Sequence, residues 1–152
     1  NNPKARVIEK AKKLQIDYKI FTKDELYNGS ILNCINSLNP ELIILAGFLL
    51  KFPIEIINVY NKKIINIHPA LLPKYGGKGM YGMNVHKAII KNKEVVSGIT
   101  IHYVNKKYDE GPIIFQKEIK INSSYTPNDL ANKIHDLEME YFPKIVENLL
   151  TL

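Results

Sequence analysis

One cysteine, one arginine and no apolar run of membrane-spanning length set the first bounds on this 152-residue sequence. Cys34, alone, makes neither an internal disulfide nor a cysteine-based metal cluster. Every apolar run is interrupted by Lys, Glu or Asn well before about 18 residues, which excludes a transmembrane helix. No secretory signal is visible, and the cytoplasm is the expected location. The histidines are spread along the chain with no pair on one helix, so no metal is expected. Gly76-Gly77-Lys78-Gly79 is glycine-rich, but it opens no helix directly and lacks the Walker spacing. Ser97, Ser123 and Ser124 lie at strand ends without a nucleophile elbow. There is no internal repeat, linker or low-complexity tract.

The net charge of +6 invites a nucleic-acid reading. Arg6 is the only arginine, however, and the lysines are scattered. Base-edge recognition leans on arginine forks. Ile, Asn and Lys are all abundant, as AT-rich coding would produce. The charge is read as a compositional bias on a solvated surface, with no nucleic-acid and no membrane partner.

What is present is a core. Hydrophobic residues make up 45% of the chain, enough for one folded domain and against global disorder. Residues 4–14 are expected to be helical, with Val7, Ile8, Ala11 and Leu14 on one face. Residues 17–21 read as a short strand. A second helix starts at Lys23-Asp24-Glu25 and continues through Ile31, Leu32, Ile35 and Leu38, with Gly29 as an internal weak point. Asn39-Pro40 ends it. Cys34 is expected to be a buried small hydrophobe.

The run of residues 42–48 is apolar and rich in branched side chains, the pattern of a strand buried on both faces of a parallel sheet. Pro53 can open a helix over 54–58. A strand follows over 64–67, then a loop to Met83 and a helix over 85–91. Residues 97–104 and 113–121 form a strand pair, with Ile99, Ile101 and Tyr103 alternating with Thr100, His102 and Val104. Thr126-Pro127-Asn128-Asp129 starts a last helix with a Thr cap, Pro at N1 and Asp at N3. That helix runs toward Leu150 and should kink at Pro143. The expected fold class is α/β: a Rossmann-like, mostly parallel sheet flanked by helices, with an antiparallel strand pair near the C-terminus.

The chemistry concentrates between Ile64 and Gln116. Asn66 and His68 alternate with Ile67, so on a strand they point to one face. The loop behind them is broken by Pro and Gly, the place where open α/β sheets put ligands. Asp109 sits in the polar turn between the paired strands and can accept from an imidazole and favour its charged form. Such a set suits a carbonyl oxygen becoming an oxyanion, in acyl or formyl transfer. With no nucleophile evident, the attacking group is the substrate's own amine or water. Structural readings stand beside this one. Asn66 can cap a turn, and Asp109-Glu110-Gly111 can be a hairpin turn. His86 reads as a helix-face residue, and His102 faces either the site or solvent.

The stretch Asn66-Ile67-His68-Pro69-Ala70-Leu71-Leu72-Pro73-Lys74-Tyr75 resembles the signature of the folate-dependent formyltransferases. Three further segments are similar in order: Ile44-Leu45-Ala46-Gly47-Phe48, Gly98-Ile99-Thr100-Ile101-His102-Tyr103-Val104, and Tyr108-Asp109-Glu110-Gly111-Pro112-Ile113-Ile114. Leu137-Glu138 ahead of Phe142-Pro143 adds to them. The resemblance implies the formyltransferase fold, with residues 1–152 as its catalytic domain. It implies transfer of the formyl group of 10-formyltetrahydrofolate to the amine of glycinamide ribonucleotide, as in the purine-biosynthetic branch. Asn66 and His68 would then stabilise the oxyanion. Asp109 would hold His68 protonated or position a water that relays the proton. The folate pocket would use Leu49, Leu50 and Phe52, largely through backbone groups, with Val104, Asn105, Lys106, Lys107, Tyr108 and Asp109 closing on the pterin. Leu49, Leu50 and Phe52 also read as plain core. Glu138 and His135 would contact the ribonucleotide; otherwise they are an exposed helix face. The family's opening strand, Gly-rich phosphate loop, helix and second strand have no counterpart, so the chain is expected to be a fragment. Residues 78–83 are expected to be an insertion at the mouth of the site. Sister activities are the deformylase and the tRNA formyltransferase of the family, and a folate-binding remnant is a further alternative. A monomer or homodimer is expected.

Overall fold

The computed structural model describes residues 2–151, in two compact units, Asn1–Pro40 and Glu41–Leu152. The first unit is helical: α1 (Arg6–Lys13), α2 (Lys23–Tyr27) and α3 (Ser30–Leu38). Thr22 caps α2 with a reciprocal box: the Glu25 N–H donates to Thr22 Oγ1 (3.2 Å) and the Thr22 N–H to Glu25 Oε2 (2.7 Å). The expected single second helix is divided. Gly29 takes φ +91°, a left-handed conformation open to glycine at little cost, and becomes the N-cap of α3. Residues 17–21 are not a strand, because no ladder partner stands beside them among the described residues. Val7 and Leu14 are exposed, so α1 buries none of its stripe. Cys34 is only half-buried.

The second unit runs β1 (Ile43–Leu45), α4 (Ile54–Val59), β2 (Ile64–His68), α5 (Met83–Lys91), β3 (Val96–Tyr103), β4 (Ile113–Lys120) and α6 (Pro127–Leu150). The four strands lie in the order β1-β2-β3-β4. The β1–β2 pairing is parallel, and the β3–β4 pair is antiparallel as the sequence predicts. The β2–β3 joint is antiparallel as well, so parallel pairing among the described strands is confined to β1–β2. The apolar run of β1 predicts burial on both faces, but β1 is an edge of this sheet and Ile44 is 43% exposed. It stops after three residues, before Gly47 turns left-handed at φ +65°.

β3 is the central strand of the site and is buried from Ser97 to His102, on both faces. Antiparallel register places Asn66 opposite His102 and His68 opposite Thr100. Cross-strand partners share a face, so these four polar side chains point the same way. The other face carries Ile67 and Ile99, packed with Val85 and Ile89 of α5 and Leu130 and Ile134 of α6. Fully burying each such aliphatic side chain contributes about 1.5–3 kcal/mol. Gly98 admits no Cβ, which would meet the Lys117 carbonyl and Leu71. The capping box of α6 forms as expected, with the Asp129 N–H on Thr126 Oγ1 (3.2 Å) and the Thr126 N–H on Asp129 Oδ2 (2.9 Å). α6 continues unbroken through Pro143. No helix among the described residues is long and apolar enough to cross a membrane.

Candidate active site

The C-terminal end of β2, the loop behind it and the turn after β3 converge on Asp109. This residue is held at φ +55°, a conformation a non-glycine side chain seldom adopts. Its carboxylate is thereby turned back toward the sheet. Oδ2 accepts from the Gly77 N–H (2.8 Å) and lies 3.6 Å from His68 Nδ1. Oδ1 lies 3.6 Å from His102 Nε2. The loop can come this close because residue 76 is glycine: a Cβ there would stand 2.6 Å from Leu72 Cδ2 and 3.2 Å from Asp109 Cβ.

Hydrogen bonds set the tautomer of each imidazole. A carbonyl only accepts, so His68 Nε2–H donates to Tyr75 O (2.7 Å) and Nδ1 is left facing Asp109. His102 Nδ1–H donates to Tyr103 O (2.9 Å), which makes its Nε2 the acceptor for the Asn66 amide (3.2 Å). Asn66, His102 and Asp109 therefore form one connected polar group with His68.

Burial is the largest influence on His68, and it lowers the pKa; the Asp109 charge and the bond to Tyr75 raise it but do not prevail. Burial thus works against the protonation of His68 that the resemblance assigns to Asp109. His68 is 4% exposed, and the cost of burying an imidazolium exceeds the pull of a carboxylate 3.6 Å away. For Asp109, burial is again the largest influence and raises the pKa, but the Gly77 N–H and the nearby rings of His102 and His68 together lower it overall. Asp109 keeps 14% exposure and a backbone donor, which favour its ionised form, whereas burial favours the neutral form of His68.

These groups face a cavity of about 700 Å³. Asn66, His68, His86 and Asp109 line one side, and His135, Glu138 and Met139 of α6 another. Burial raises the pKa of Glu138, and His135, 3.5 Å away, pulls it back in part. Leu49 also lines this cavity and is 58% exposed, which excludes the plain-core reading for that residue. Leu50, Phe52, Val104, Asn105, Lys106, Lys107 and Tyr108 line a separate, smaller cleft of about 60 Å³. Phe48, Asn66, Tyr108 and Asp109 border both spaces. The structure thus brings Asn66, His68 and Asp109 together; Leu49, His135 and Glu138 share the larger cavity, and the other expected folate residues line the smaller cleft, with Tyr108 and Asp109 bordering both.

Three features escape the sequence reading. His102 is buried against Asn66 and Asp109, so its two-way reading resolves toward the site. His86 is 6% exposed and lines the cavity instead of an open helix face. Burial, and then the neighbouring His68, lowers its pKa. Its position between Val85 and the Ile89-Ile90 pair was the available sign of a buried side. Of residues 78–83, expected at the mouth, 78–82 form part of the cavity wall.

With this geometry in place, the comparisons are specific. The formyl transferase family profile matches residues 1–146. The chain is 37% identical over 123 residues to the chloroplastic phosphoribosylglycinamide formyltransferase of Arabidopsis thaliana, covering 81% of this chain and 42% of that protein. It is 35% identical over 157 residues to the phosphoribosylglycinamide formyltransferase of Bacillus subtilis (strain 168), covering 100% of this chain and 78% of that protein. The crystal structure of phosphoribosylglycinamide formyltransferase from Anaplasma phagocytophilum superposes with a TM-score of 0.87 at 31% identity, over 97% of this chain and 70% of that one. The chain spans less than half the length of the plant relatives it matches.

Proposed function

We propose, because this chain belongs to the formyl transferase family, that it transfers the formyl group of 10-formyltetrahydrofolate to the amine of glycinamide ribonucleotide. One observation carries the reading: Asp109 stands between His68 and His102, beside the Asn66 amide, on the wall of a cavity of about 700 Å³. A cavity of that size takes a ligand of several hundred daltons. The relatives named for this reaction support the acceptor.

The residues divide the work as follows. Asn66 uses one amide N–H on His102 and keeps a second for the formyl oxygen, a preorganised donor where negative charge develops. His68, neutral at rest with Nδ1 open toward Asp109, can receive the proton released by the attacking amine. As imidazolium beside an ionised carboxylate, it then returns that proton to the departing folate nitrogen as the bond to the formyl carbon breaks. Asp109 thereby carries the proton relay, directly or through one water. Phe52 and Tyr108 offer ring faces and Leu50 an aliphatic surface to a pterin, and Phe48 and Phe52 meet edge to face with centroids 5.5 Å apart. The cleft they line holds only about 60 Å³ and shares Phe48, Asn66, Tyr108 and Asp109 with the larger space, so it serves as one limb of it. His135 and Glu138 face the ribonucleotide.

A formyl-transfer assay with 10-formyltetrahydrofolate, with and without glycinamide ribonucleotide, tests this. Turnover that requires the ribonucleotide supports it. Turnover without the ribonucleotide would assign a deformylase, and folate binding without turnover a remnant.

A further inference from the structure

Two of the groups at the site are held by one turn. Tyr75 supplies the carbonyl that accepts from His68 Nε2–H (2.7 Å), and Gly77, two residues on, supplies the N–H that donates to Asp109 (2.8 Å). Whatever fixes the turn Tyr75-Gly76-Gly77 fixes both the imidazole and the carboxylate. The turn is not a relaxed one. Tyr75 has φ +58° and Gly77 φ +89°. A left-handed tyrosine is strained and needs its surroundings to hold it there.

The hold is visible in the side chain. The Tyr75 hydroxyl donates to Glu94 Oε1 (2.8 Å) and accepts from Asn92 Nδ2 (2.9 Å). Lys74 reaches the same carboxylate at 3.1 Å. Asn92 is the C-cap of α5, and Glu94 follows two residues later. The ring between hydroxyl and backbone packs on the apolar cluster shared by α5, α6 and β3. The phenol is thus a strut from the end of a packed helix to the backbone that orients His68.

We propose that Tyr75, through its hydroxyl on Glu94 and Asn92, is a positioning residue that keeps His68 in the Nε2–H tautomer with Nδ1 presented to Asp109. Tyr75 touches neither reacting group with its side chain; it acts through its own carbonyl and through the Gly77 N–H. The kinetic consequence rests on the formyl-transfer reading, but the tautomer does not, so the two can fail separately.

The test compares the full chain with Tyr75→Phe, Glu94→Ala and Glu94→Gln. The readouts are the His68 ring nitrogens in long-range ¹⁵N–¹H spectra, the melting temperature and steady-state kinetics. The unsubstituted protein should show a single Nε2–H tautomer at His68. Tyr75→Phe and Glu94→Ala should show mixed tautomers, with kcat lower by roughly 10-fold or more and both KM values little changed, as expected for misplacement near the reacting atoms. Glu94→Gln keeps a carbonyl acceptor for the phenol and should restore the single tautomer and most of kcat. A single Nε2–H tautomer retained in Tyr75→Phe would overturn the proposal, even if melting drops. So would unchanged kcat in a protein that transfers formyl. If no variant and no parent turns over, the function reading falls while the tautomer comparison still decides the strut.

Discussion

Asp109 Oδ2 stands 3.6 Å from His68 Nδ1, yet the buried imidazole is the more weakly basic for its position, not the more strongly. Burial favours a neutral imidazole beside the carboxylate, a base ready to take a proton. NMR titration of His68 should therefore give a midpoint below the ordinary 6.5. Asp109→Asn removes an attraction to the charged ring and should move the midpoint lower still. A midpoint above 6.5 in the parent would show that the carboxylate prevails over burial.

The same shift links stability to acid. The folded pKa of His68 lies below its unfolded value, and so does that of His86. Between the two values the unfolded chain binds more protons, so stability rises with pH across that window. The contribution is complete above about 6.5 and is lost as pH falls through the folded values. Melting temperatures from pH 7.5 down to 5 should decline for the parent. They should decline less steeply in a variant with His86→Gln, which retains a polar side chain without a titration in that range. Equal slopes would remove His86 from this effect.

Asp109→Asn is expected to keep the fold, since an amide oxygen still accepts from the Gly77 N–H. Turnover should drop by orders of magnitude, because an amide takes no proton and supports no imidazolium. Near-normal kcat with a normal melting curve would take Asp109 out of the mechanism.

Asn66→Ala has two separable consequences. Loss of a donor to a developing oxyanion lowers kcat by roughly 10²–10³. Loss of the hydrogen bond to His102 Nε2 strands a buried acceptor, at about 1–3 kcal/mol. Kinetics and chemical denaturation on the same preparation distinguish them: an activity loss that merely follows the folded fraction would make Asn66 structural.

What was legible in the chain follows from period and range. Asn66 and His68 were placed on one face because strand alternation is a local rule, and the α6 start was readable because Thr126 and Asp129 complete their box within four residues. His102 was not readable. β3 is buried on both faces, so alternation with apolar neighbours does not say which side meets the site. The break at Gly29 depends on a left-handed backbone that a weak helix position and a cap share in sequence. Residues 17–21 carry strand-like alternation without a strand beside them. The balance at His68 was out of reach for a different reason. A carboxylate near a histidine can be guessed from spacing, but the burial that opposes it exists only in the packed structure.

Thr100 offers the clearest separation of scaffold from chemistry. Its hydroxyl is fully buried. It accepts from the Leu72 N–H (3.0 Å) and from Gln116 Nε2 (2.9 Å), and donates to the Ala70 carbonyl (2.7 Å). It thus holds the first turn of the loop that leaves His68 and leads to Tyr75. Thr100→Val keeps the shape and removes every one of these bonds. Each stranded buried backbone group costs about 1–3 kcal/mol, so denaturation should show a loss of several kcal/mol. Thr100→Ser keeps the hydroxyl and gives up only a methyl, at about 0.8 kcal/mol. The valine variant should therefore lose more stability than the serine variant, and whatever folds should show reduced kcat because the loop carrying Tyr75 is untethered at its start. If valine and serine were equally stable, the hydroxyl network would contribute nothing net, and the loop would be held by Gln116 and packing alone.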